Sequence, residues 1–220
     1  MNVLGWIEDL APDLTALGAD APPAPRWDQD WFPRLDAAAA YAIVRMTRPA
    51  HIVEVGSGHS TRFLARAVHD GRLATQITAI DPAPRASVSA PGVRELREPV
   101  QACALGLFTS LAPGDVLFVD SSHQLKPGSD VDFIFEHLLP RLASGVRIHF
   151  HDIFLPDDYP AQWAWRRYNE QAAVAALIGD GYALEFSSHQ AATRGRLNGV
   201  LARLPLVPGA METSLWLTKR

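Results

Sequence analysis

From residue 51 onward, short apolar runs alternate with longer stretches of helical pattern. This alternation limits the folds that the chain can adopt. The apolar runs fall at 52–55, 76–80, 93–96, 116–119, 146–150, 182–186 and 214–217. The helical patterns fall at 35–48, 60–68, 100–111, 130–142 and 163–178. Strands that alternate with helices in this way form a parallel sheet with helices on both faces. The sequence therefore predicts an α/β fold, a doubly wound sheet of about seven strands.

The first 34 residues have a different pattern. An amphipathic helical segment at 3–17 is followed by prolines within 21–25, and these prolines favour an extended linker. Three large aromatic residues come next: Trp27, Trp31 and Phe32. They are either core anchors or part of a lid over a small-molecule pocket. We expect residues 1–34 to be a helical and aromatic extension and residues 35–220 to be the main domain.

Length and charge exclude several classes of protein. A chain of 220 residues can bury a core without a metal or a disulfide. The chain has 20 Lys and Arg and 24 Asp and Glu, which gives a net charge of -4. It therefore has no excess of positive charge with which to bind a nucleic-acid backbone. The single cysteine, Cys103, lies in an apolar run and is expected to be a buried thiol rather than a nucleophile.

The sequence also bears on location and partners. No apolar run is long enough to span a membrane, and the first residues lack the basic start of a secretory signal. One cysteine cannot form an intramolecular disulfide. We therefore expect a cytoplasmic protein that binds a small-molecule acceptor, with no nucleic-acid or membrane partner. The sequence is compatible with a homo-oligomer.

A glycine turn directly after the first strand marks the ligand pocket expected of this fold. Gly56 and Gly58 precede a helical pattern, so their backbone amides can approach a ligand closely. A dinucleotide-binding turn has a third glycine where this chain has Thr61. Glu54, just before the turn, would repel a pyrophosphate but could accept hydrogen bonds from a cationic amino-acid group. The turn therefore favours an amino-acid-bearing nucleoside over NAD.

An acidic residue, Asp81, ends the second predicted strand. Its two carboxylate oxygens suit the vicinal hydroxyls of a ribose. A turn or helix cap before Pro82 is the alternative role for this side chain.

These residues resemble the class I S-adenosylmethionine (SAM)-dependent methyltransferases, over roughly residues 35–218. Glu54 to Gly58 is similar to the family's first motif, and Asp81 to its ribose-binding acidic residue. The resemblance implies a Rossmann-like sheet of order 3-2-1-4-5-7-6 with the last strand antiparallel, and SAM as cofactor. The residues expected to contact SAM are Glu54, Gly56, Ser57, Gly58, Ser60, Asp81, Val100 and Asp120.

Polar residues cluster after the fourth and fifth predicted strands. Asp120 and His123 follow the fourth strand, and His149, His151 and Asp152 lie at the end of the fifth. If the two strands are neighbours, these side chains meet at one edge of the sheet, facing the methyl donor. A neutral histidine can remove an acceptor proton at neutral pH. His123 is therefore predicted to be the base, with Asp120, His151 and Asp152 as the other catalytic candidates.

The same cluster raises the question of a metal. Within the superfamily the chain is most similar to the small-molecule branch that includes the catechol and macrolide-sugar O-methyltransferases. The catechol type has a metal-binding aspartate after the fourth strand, a lysine base three residues later and Asp-Asn after the fifth. Asp120 and His123 have the first spacing, but Ile153 follows Asp152. Asp120, His123, His151 and Asp152 can thus bind a divalent metal, form a hydrogen-bonded network or cap the structure.

The segments after the fifth strand are expected to face the acceptor. The apolar, proline-containing segment 153–160 is predicted to form a wall on that side, and polar residues at 166–171 either bind substrate or stabilise a helix. A polar loop is predicted at 189–198, and either Arg194 or Arg196 in it can bind an anionic acceptor.

The predicted function is SAM-dependent methyl transfer to a small metabolite or natural product, at oxygen rather than nitrogen. Two alternatives stay open from the sequence. One is an NAD-dependent oxidoreductase or epimerase on a similar sheet. The other is a non-catalytic SAM-binding module, because fold alone does not establish chemistry.

Overall fold

The computed structural model describes residues 1–18, 21–84, 88, 90–195, 197 and 199–220. Its sheet contains β1 (His51–Val55), β2 (Gln76–Ile80), β3 (Val93–Leu96), β4 (Val116–Val119), β5 (Arg147–Phe150), β6 (Tyr182–Ser187) and β7 (Leu215–Lys219). The strand order is β3-β2-β1-β4-β5-β7-β6. The first five strands pair in parallel, and β7 is antiparallel to both β5 and β6. The predicted α/β fold, strand order and antiparallel last strand are confirmed.

The described residues form eight α-helices: α1 (Val3–Asp9), α2 (Ala11–Thr15), α3 (Arg34–Thr47), α4 (His59–Asp70), α5 (Gly106–Thr109), α6 (Asp130–Phe133), α7 (Gln171–Leu177) and α8 (Ser188–Arg194). A π-helix at Ile134–Leu138 and a 3-10 turn at Leu139–Arg141 continue α6, over most of the predicted helix 130–142. Within this described part of the chain, no helix has both the length and the apolar character needed to cross a bilayer.

Helix α3 is the most deeply buried helix of the fold. Its alanine-rich sequence favours helix, and the chain leaves the helix at Arg48, in the left-handed conformation just before Pro49. Every residue from Leu35 to Val44 is buried, because α3 packs against both α4 and the sheet. Small alanine side chains allow this close approach between backbones.

The N-terminal extension packs onto α3. Val3, Ile7 and Leu14 are buried in the same apolar cluster as α3. The carboxylate of Glu8 also accepts a hydrogen bond from the amide of Val200, at 2.9 Å. The extension thus adds to the core on one face of the sheet, and the division of the chain at residue 34 stays a prediction.

The predicted helix 100–111 is interrupted. It consists of a 3-10 turn at Val100–Ala102 and the short helix α5, because Cys103 has an extended backbone between them. Cys103 itself is buried, as predicted, and burial raises the pKa of its thiol to about 11.

The predicted helix 163–178 is also divided, into a 3-10 helix at Ala161–Arg166 and α7. Arg167 takes a left-handed conformation, with φ of 57°, which ends the first piece. Asn169 then exchanges hydrogen bonds with the backbone of Leu125, at 2.6 and 2.9 Å. A tertiary contact therefore overrides the local helical pattern.

The predicted polar loop 189–198 was wrong over its first half, which is α8. The side chain of Ser187 caps this helix by accepting a hydrogen bond from the amide of Gln190, at 3.1 Å. Arg194 ends the helix and pairs with Asp157 at 2.9 Å. Arg196 and Asn198 lie outside the described residues.

Candidate active site

Two groups of residues follow the carboxyl ends of the central strands and meet at one edge of the sheet. They are the glycine turn, Gly56 to Gly58, and the acidic cluster, which consists of Asp120, His123, His151 and Asp152. Backbone hydrogen bonds continue past the strand ends and fix three site residues there. Gly56 donates to Ile80 at 2.8 Å, Asp120 donates to Val55 at 2.8 Å, and His151 donates to Val119 at 3.0 Å. The expectation that the fourth and fifth strands are neighbours is confirmed by the pairing of β4 with β5.

A cavity of about 1020 Å³ opens at this edge. The residues that line it include predicted SAM contacts: Gly56, Ser57, Gly58, Ser60, Asp81 and Val100. The predicted catalytic residues line its floor: Asp120, His123, His151 and Asp152. Its volume lies at the upper end of the range for small-molecule pockets, roughly 300–1,000 Å³. Residues of both predicted groups therefore line one cavity, and their roles stay predictions.

The turn between β1 and α4 has a backbone that only glycine adopts easily. Gly56 has φ of +87°, and a Cβ atom there would lie 1.9 Å from the carbonyl oxygen of Asp120. A Cβ on Gly58 would meet no atom within 4 Å. The turn is thus packed against β4 at its first glycine and open at its second.

The carboxylate of Asp81 is held by this turn. Its Oδ2 accepts hydrogen bonds from the amide and the hydroxyl of Ser57, at 3.0 and 3.1 Å. Its Oδ1 accepts one from the amide of Ala83 at 2.9 Å. Asp81 therefore has a fixed orientation at the cavity edge, where each oxygen retains further acceptor capacity.

Glu54 lies beneath the turn instead of lining the cavity. It is fully buried, and its oxygens accept hydrogen bonds from the hydroxyls of Ser60 and Thr61, both at 2.6 Å. The carboxylate thus anchors the start of α4 and has no surface toward a ligand. Burial raises the pKa of Glu54 to about 8, although both hydroxyls oppose this shift. Its predicted contact with SAM gains no support from this geometry.

The raised pKa of Glu54 predicts a pH-dependent stability. Between the unfolded pKa near 4.5 and the folded pKa of about 8, the native state binds one proton more than the unfolded state. Stability is therefore lost as the pH rises through this interval, with a slope of at most about 1.4 kcal/mol per pH unit. Glu54→Gln has no such proton to lose. We expect the variant to gain stability over the wild type between pH 5 and pH 8 in urea unfolding.

The matched control is Glu136→Gln, which changes an exposed carboxylate of the π-helix. Its difference from the wild type should be constant over the same pH range. A constant difference for Glu54→Gln as well would contradict a protonated Glu54.

Two histidines converge on one carboxylate at the cavity floor. His151 Nδ1 lies 3.2 Å from Asp120 Oδ1, and His123 Nε2 lies 3.4 Å from the same atom. His123 Nε2 is also 3.5 Å from Asp152 Oδ2. His123 and Asp152 both have left-handed backbones, with φ of 59° and 56°. Such conformations in non-glycine residues concentrate at functional sites.

Two further carboxylates, which the sequence reasoning missed, lie behind these histidines. Glu170 Oε1 is 2.5 Å from His123 Nδ1, and Asp36 Oδ2 is 3.4 Å from His151 Nε2. Both are almost fully buried. The only signal for Asp36 was a lone charge in the apolar run of α3, and Glu170 was one of several polar residues before α7.

These carboxylates set the charges of the cluster. Burial alone would lower the pKa of His123, but Glu170, Asp120 and Asp152 raise it well above its ordinary value. His151 is raised likewise, by Asp120 and Asp152 against the effect of burial. Burial would raise the pKa of Asp120, but the two imidazoles lower it well below its usual range. These directions favour protonated rings at His123 and His151 beside an ionised Asp120.

The raised pKa of His123 bears on its predicted role as a neutral base. A protonated imidazole cannot accept a proton, and the assignment of His123 as the base stays a prediction. The buried carboxyl of Glu170 faces Nδ1 and favours the protonated ring.

A protein-family model described as a methyltransferase domain matches residues 53–153, from β1 through the cluster after β5. This stretch contains both the glycine turn and the acidic cluster. Residues 53–153 form a class I, SAM-dependent methyltransferase domain. The predicted superfamily is thereby confirmed, and the alternative of an NAD-dependent oxidoreductase is set aside.

Solved structures of methyltransferases are similar to the whole chain. One is an O-methyltransferase from Bacillus cereus in complex with S-adenosylhomocysteine (SAH), with 12% identity and a TM-score of 0.53, covering 100% of this chain and 91% of that one. Another is an SAH-bound methyltransferase from Podospora anserina, with 15% identity and a TM-score of 0.53, covering 100% and 88%. At such identities the likeness shows the fold alone. No curated protein sequence matches the chain.

The acidic cluster of this methyltransferase does not fit a metal centre. Across the described parts of the chain, no group of three or more His, Cys, Asp or Glu side chains is arranged to hold a metal ion. Both ring nitrogens of His123 and of His151 face carboxylates, as in a hydrogen-bonded network. The hydrogen-bonded network is the alternative that this geometry favours. His149 is a separate core residue, stacked on Phe118 at 3.7 Å.

Aromatic residues contribute to the lining of the cavity. Trp163, Tyr168 and Trp31 line it, together with the guanidinium of Arg166. Trp31 is 55% exposed, whereas Trp27 and Phe32 are buried core residues. The three N-terminal aromatics therefore include both core anchors and a residue of the cavity wall.

The segment 153–160 supports this side of the cavity from behind. Phe154 is buried and contacts the ring of Trp163, with centroids 5.0 Å apart. The segment itself does not line the main cavity. The predicted wall is therefore formed by the 3-10 helix Ala161–Arg166 and Tyr168, and segment 153–160 packs beneath it.

Proposed function

We propose that the methyltransferase transfers the methyl group of SAM to an oxygen of a small metabolite or natural product. One observation carries this proposal. The glycine turn, Asp81, the acidic cluster and the aromatic wall all line a single cavity. A donor and an acceptor can therefore lie end to end in it. The SAH complex of the Bacillus cereus O-methyltransferase supports the choice of donor and of oxygen.

The donor side of the cavity suits an aminoacyl nucleoside. We place the ribose hydroxyls against Asp81, whose carboxylate is already oriented by Ser57. Val100 would contact the base, and the open space above Gly58 would admit the amino-acid end. When bound, SAM supplies a methyl carbon that its positive sulfur makes electrophilic.

The cluster at the floor favours a cation nearby. Four carboxyl groups surround two imidazoles: Asp36, Asp120, Asp152 and Glu170 around His123 and His151. Carboxylates in excess over cations stabilise an adjacent positive charge in a site shielded from water. This excess supports placing the sulfonium end of the donor beside Asp120.

Asp120 is the group that an acceptor hydroxyl can reach. Its side chain is 28% exposed, whereas those of His123 and His151 are 5% exposed. We propose that Asp120 accepts the hydroxyl proton while the two imidazolium groups hold its carboxylate in place. The oxygen becomes strongly acidic as its bond to carbon forms, so a weakly basic carboxylate suffices.

Calorimetry with SAM, SAH and NADH tests the donor. We expect SAM and SAH to bind and NADH to give no heat. Asp81→Asn should raise the Kd of SAM at least about tenfold, since one charged hydrogen bond contributes about 1.5–3 kcal/mol. Asp158→Asn, outside the main cavity, is the control and should leave the Kd unchanged. Binding of NADH without SAM would refute the proposed function.

Three expectations from the sequence stay proposals alongside this function. They are the cytoplasmic location, a homo-oligomeric state, and the division into an extension at 1–34 and a domain at 35–220. Trp31, on the wall of the cavity, supports a role for the extension in enclosing the acceptor.

A further inference from the structure

We propose that the acceptor is an aromatic hydroxyl compound that carries a carboxylate, and that Arg166 binds this carboxylate. The inference rests on the proposed function and names the substrate class of the same site. It follows from the position of one cation on the aromatic side of the cavity.

Arg166 is held in place by aromatic rings. Its Cζ atom lies 4.4 Å from the ring centroid of Trp163, 4.9 Å from that of Trp165 and 5.5 Å from that of Tyr168. One terminal nitrogen donates a hydrogen bond to the Tyr168 hydroxyl at 3.1 Å. Stacking of this kind fixes the plane of the guanidinium before any ligand arrives.

The charge of Arg166 has no counter-ion in the described part of the chain. Its recorded polar partner is the neutral hydroxyl of Tyr168, and no Asp or Glu side chain lies within ion-pair distance of it. Its Nε is buried and makes no hydrogen bond. By contrast, Arg194 on the nearby surface pairs with Asp157. A planar cation with free donors in a cavity matches a carboxylate, which accepts two parallel hydrogen bonds.

The distance to the cluster sets the size of the acceptor. Tyr168 is a neighbour of both sites, with its ring 5.5 Å from Arg166 Cζ and 4.5 Å from the ring of His123. The guanidinium and the cluster are therefore close enough for one aromatic ring and its substituents to contact both. A ring with a carboxylate at one end would place a hydroxyl of its other end beside Asp120.

The wall around this path selects for flat, apolar molecules. Trp163 and Tyr168 lie beside Arg166, and the cavity lining also includes Trp31 and the adaptable apolar side chain of Met211. Aromatic rings of the wall favour offset or edge contacts with a ligand ring. These contacts favour an aromatic acceptor over a sugar, which would need more hydrogen-bond partners.

The test compares acids with their amides. We would first titrate SAH, and then measure binding of 4-hydroxybenzoate, 3,4-dihydroxybenzoate and the corresponding benzamides at saturating SAH. For the wild type we expect each acid to bind at least tenfold more tightly than its amide. Arg166→Gln should remove this preference, and Arg166→Lys should retain part of it.

Two controls keep the result specific. Arg167→Gln removes the neighbouring exposed arginine, which does not line the cavity, and should keep the wild-type preference. The affinity of the Arg166→Gln variant for the amides should equal that of the wild type, which shows that the cavity is intact.

Three results would overturn the inference: no preference for acids in the wild type, no binding of any probe, or a preference that survives Arg166→Gln. If SAH binds and the preference is absent, only the acceptor assignment is lost. If SAH does not bind, the proposed function fails and the acceptor assignment falls with it.

Discussion

Asp120→Asn should lower kcat by about 10²- to 10⁴-fold, the usual contribution of a positioned proton acceptor. Asparagine has the same shape as aspartate, but its amide cannot take the acceptor proton and does not attract the imidazolium groups of His123 and His151. The Kd of SAM should change far less than kcat. Turnover with a hydroxylated acceptor, together with calorimetry of SAM, measures both quantities.

The comparison with His123→Gln decides between Asp120 and His123 as the proton acceptor. Glutamine retains a donor near Asp120, so we expect a loss of about tenfold, smaller than that of Asp120→Asn. The pH profile is a second discriminator. The raised pKa of His123 predicts that kcat has no ionisation near pH 6.5, whereas a neutral histidine base requires one. A larger loss in His123→Gln, with an ionisation near 6.5, would identify His123 as the base.

Gly56→Ala should destabilise the fold by on the order of 2–5 kcal/mol. The new Cβ would lie 1.9 Å from the carbonyl oxygen of Asp120, and the residue would have to keep φ of +87°. The left-handed backbone costs an alanine about 1–2 kcal/mol, and a shift of packed backbone adds about 1–3 kcal/mol. For a chain of this size the Tm should fall by roughly 4–20 °C in a thermal melt.

Gly58→Ala is the matched variant on the other side of the same turn. A Cβ there meets no protein atom within 4 Å, so we expect little change in Tm. The methyl group would project toward the cavity that Gly58 lines, and the Kd of SAM should rise. Equal losses of stability in the two variants would contradict the packing described for Gly56.

The strands and the glycine turn were predictable from the sequence because their causes are local. Strands β2, β3 and β4 have the bounds that the apolar runs predicted. Gly56, Gly58 and Asp81 are placed by the ends of β1 and β2, so their positions follow from strand order. Helical patterns at 100–111 and 163–178 were less reliable, since Cys103 and Arg167 break them for tertiary reasons.

The residues around the histidines were not predictable from local pattern. Asp36 meets His151 across 115 positions of sequence, and Glu170 meets His123 across 47. No periodicity or spacing brings such pairs together, because their contact depends on how α3 and the segment before α7 pack on the sheet. The aromatic wall around Arg166 has the same origin.

By itself, the sequence determined the order of strands and helices, the turn that faces the donor and the set of polar residues at the sheet edge. These depend on hydrophobic period, on glycine geometry and on the fixed direction of parallel strands. Only the tertiary structure decided which of those residues face the cavity and what charge they carry. Burial and carboxylates from distant segments determine these properties, so Glu54 is an internal anchor and the pKa of His123 is raised by Glu170.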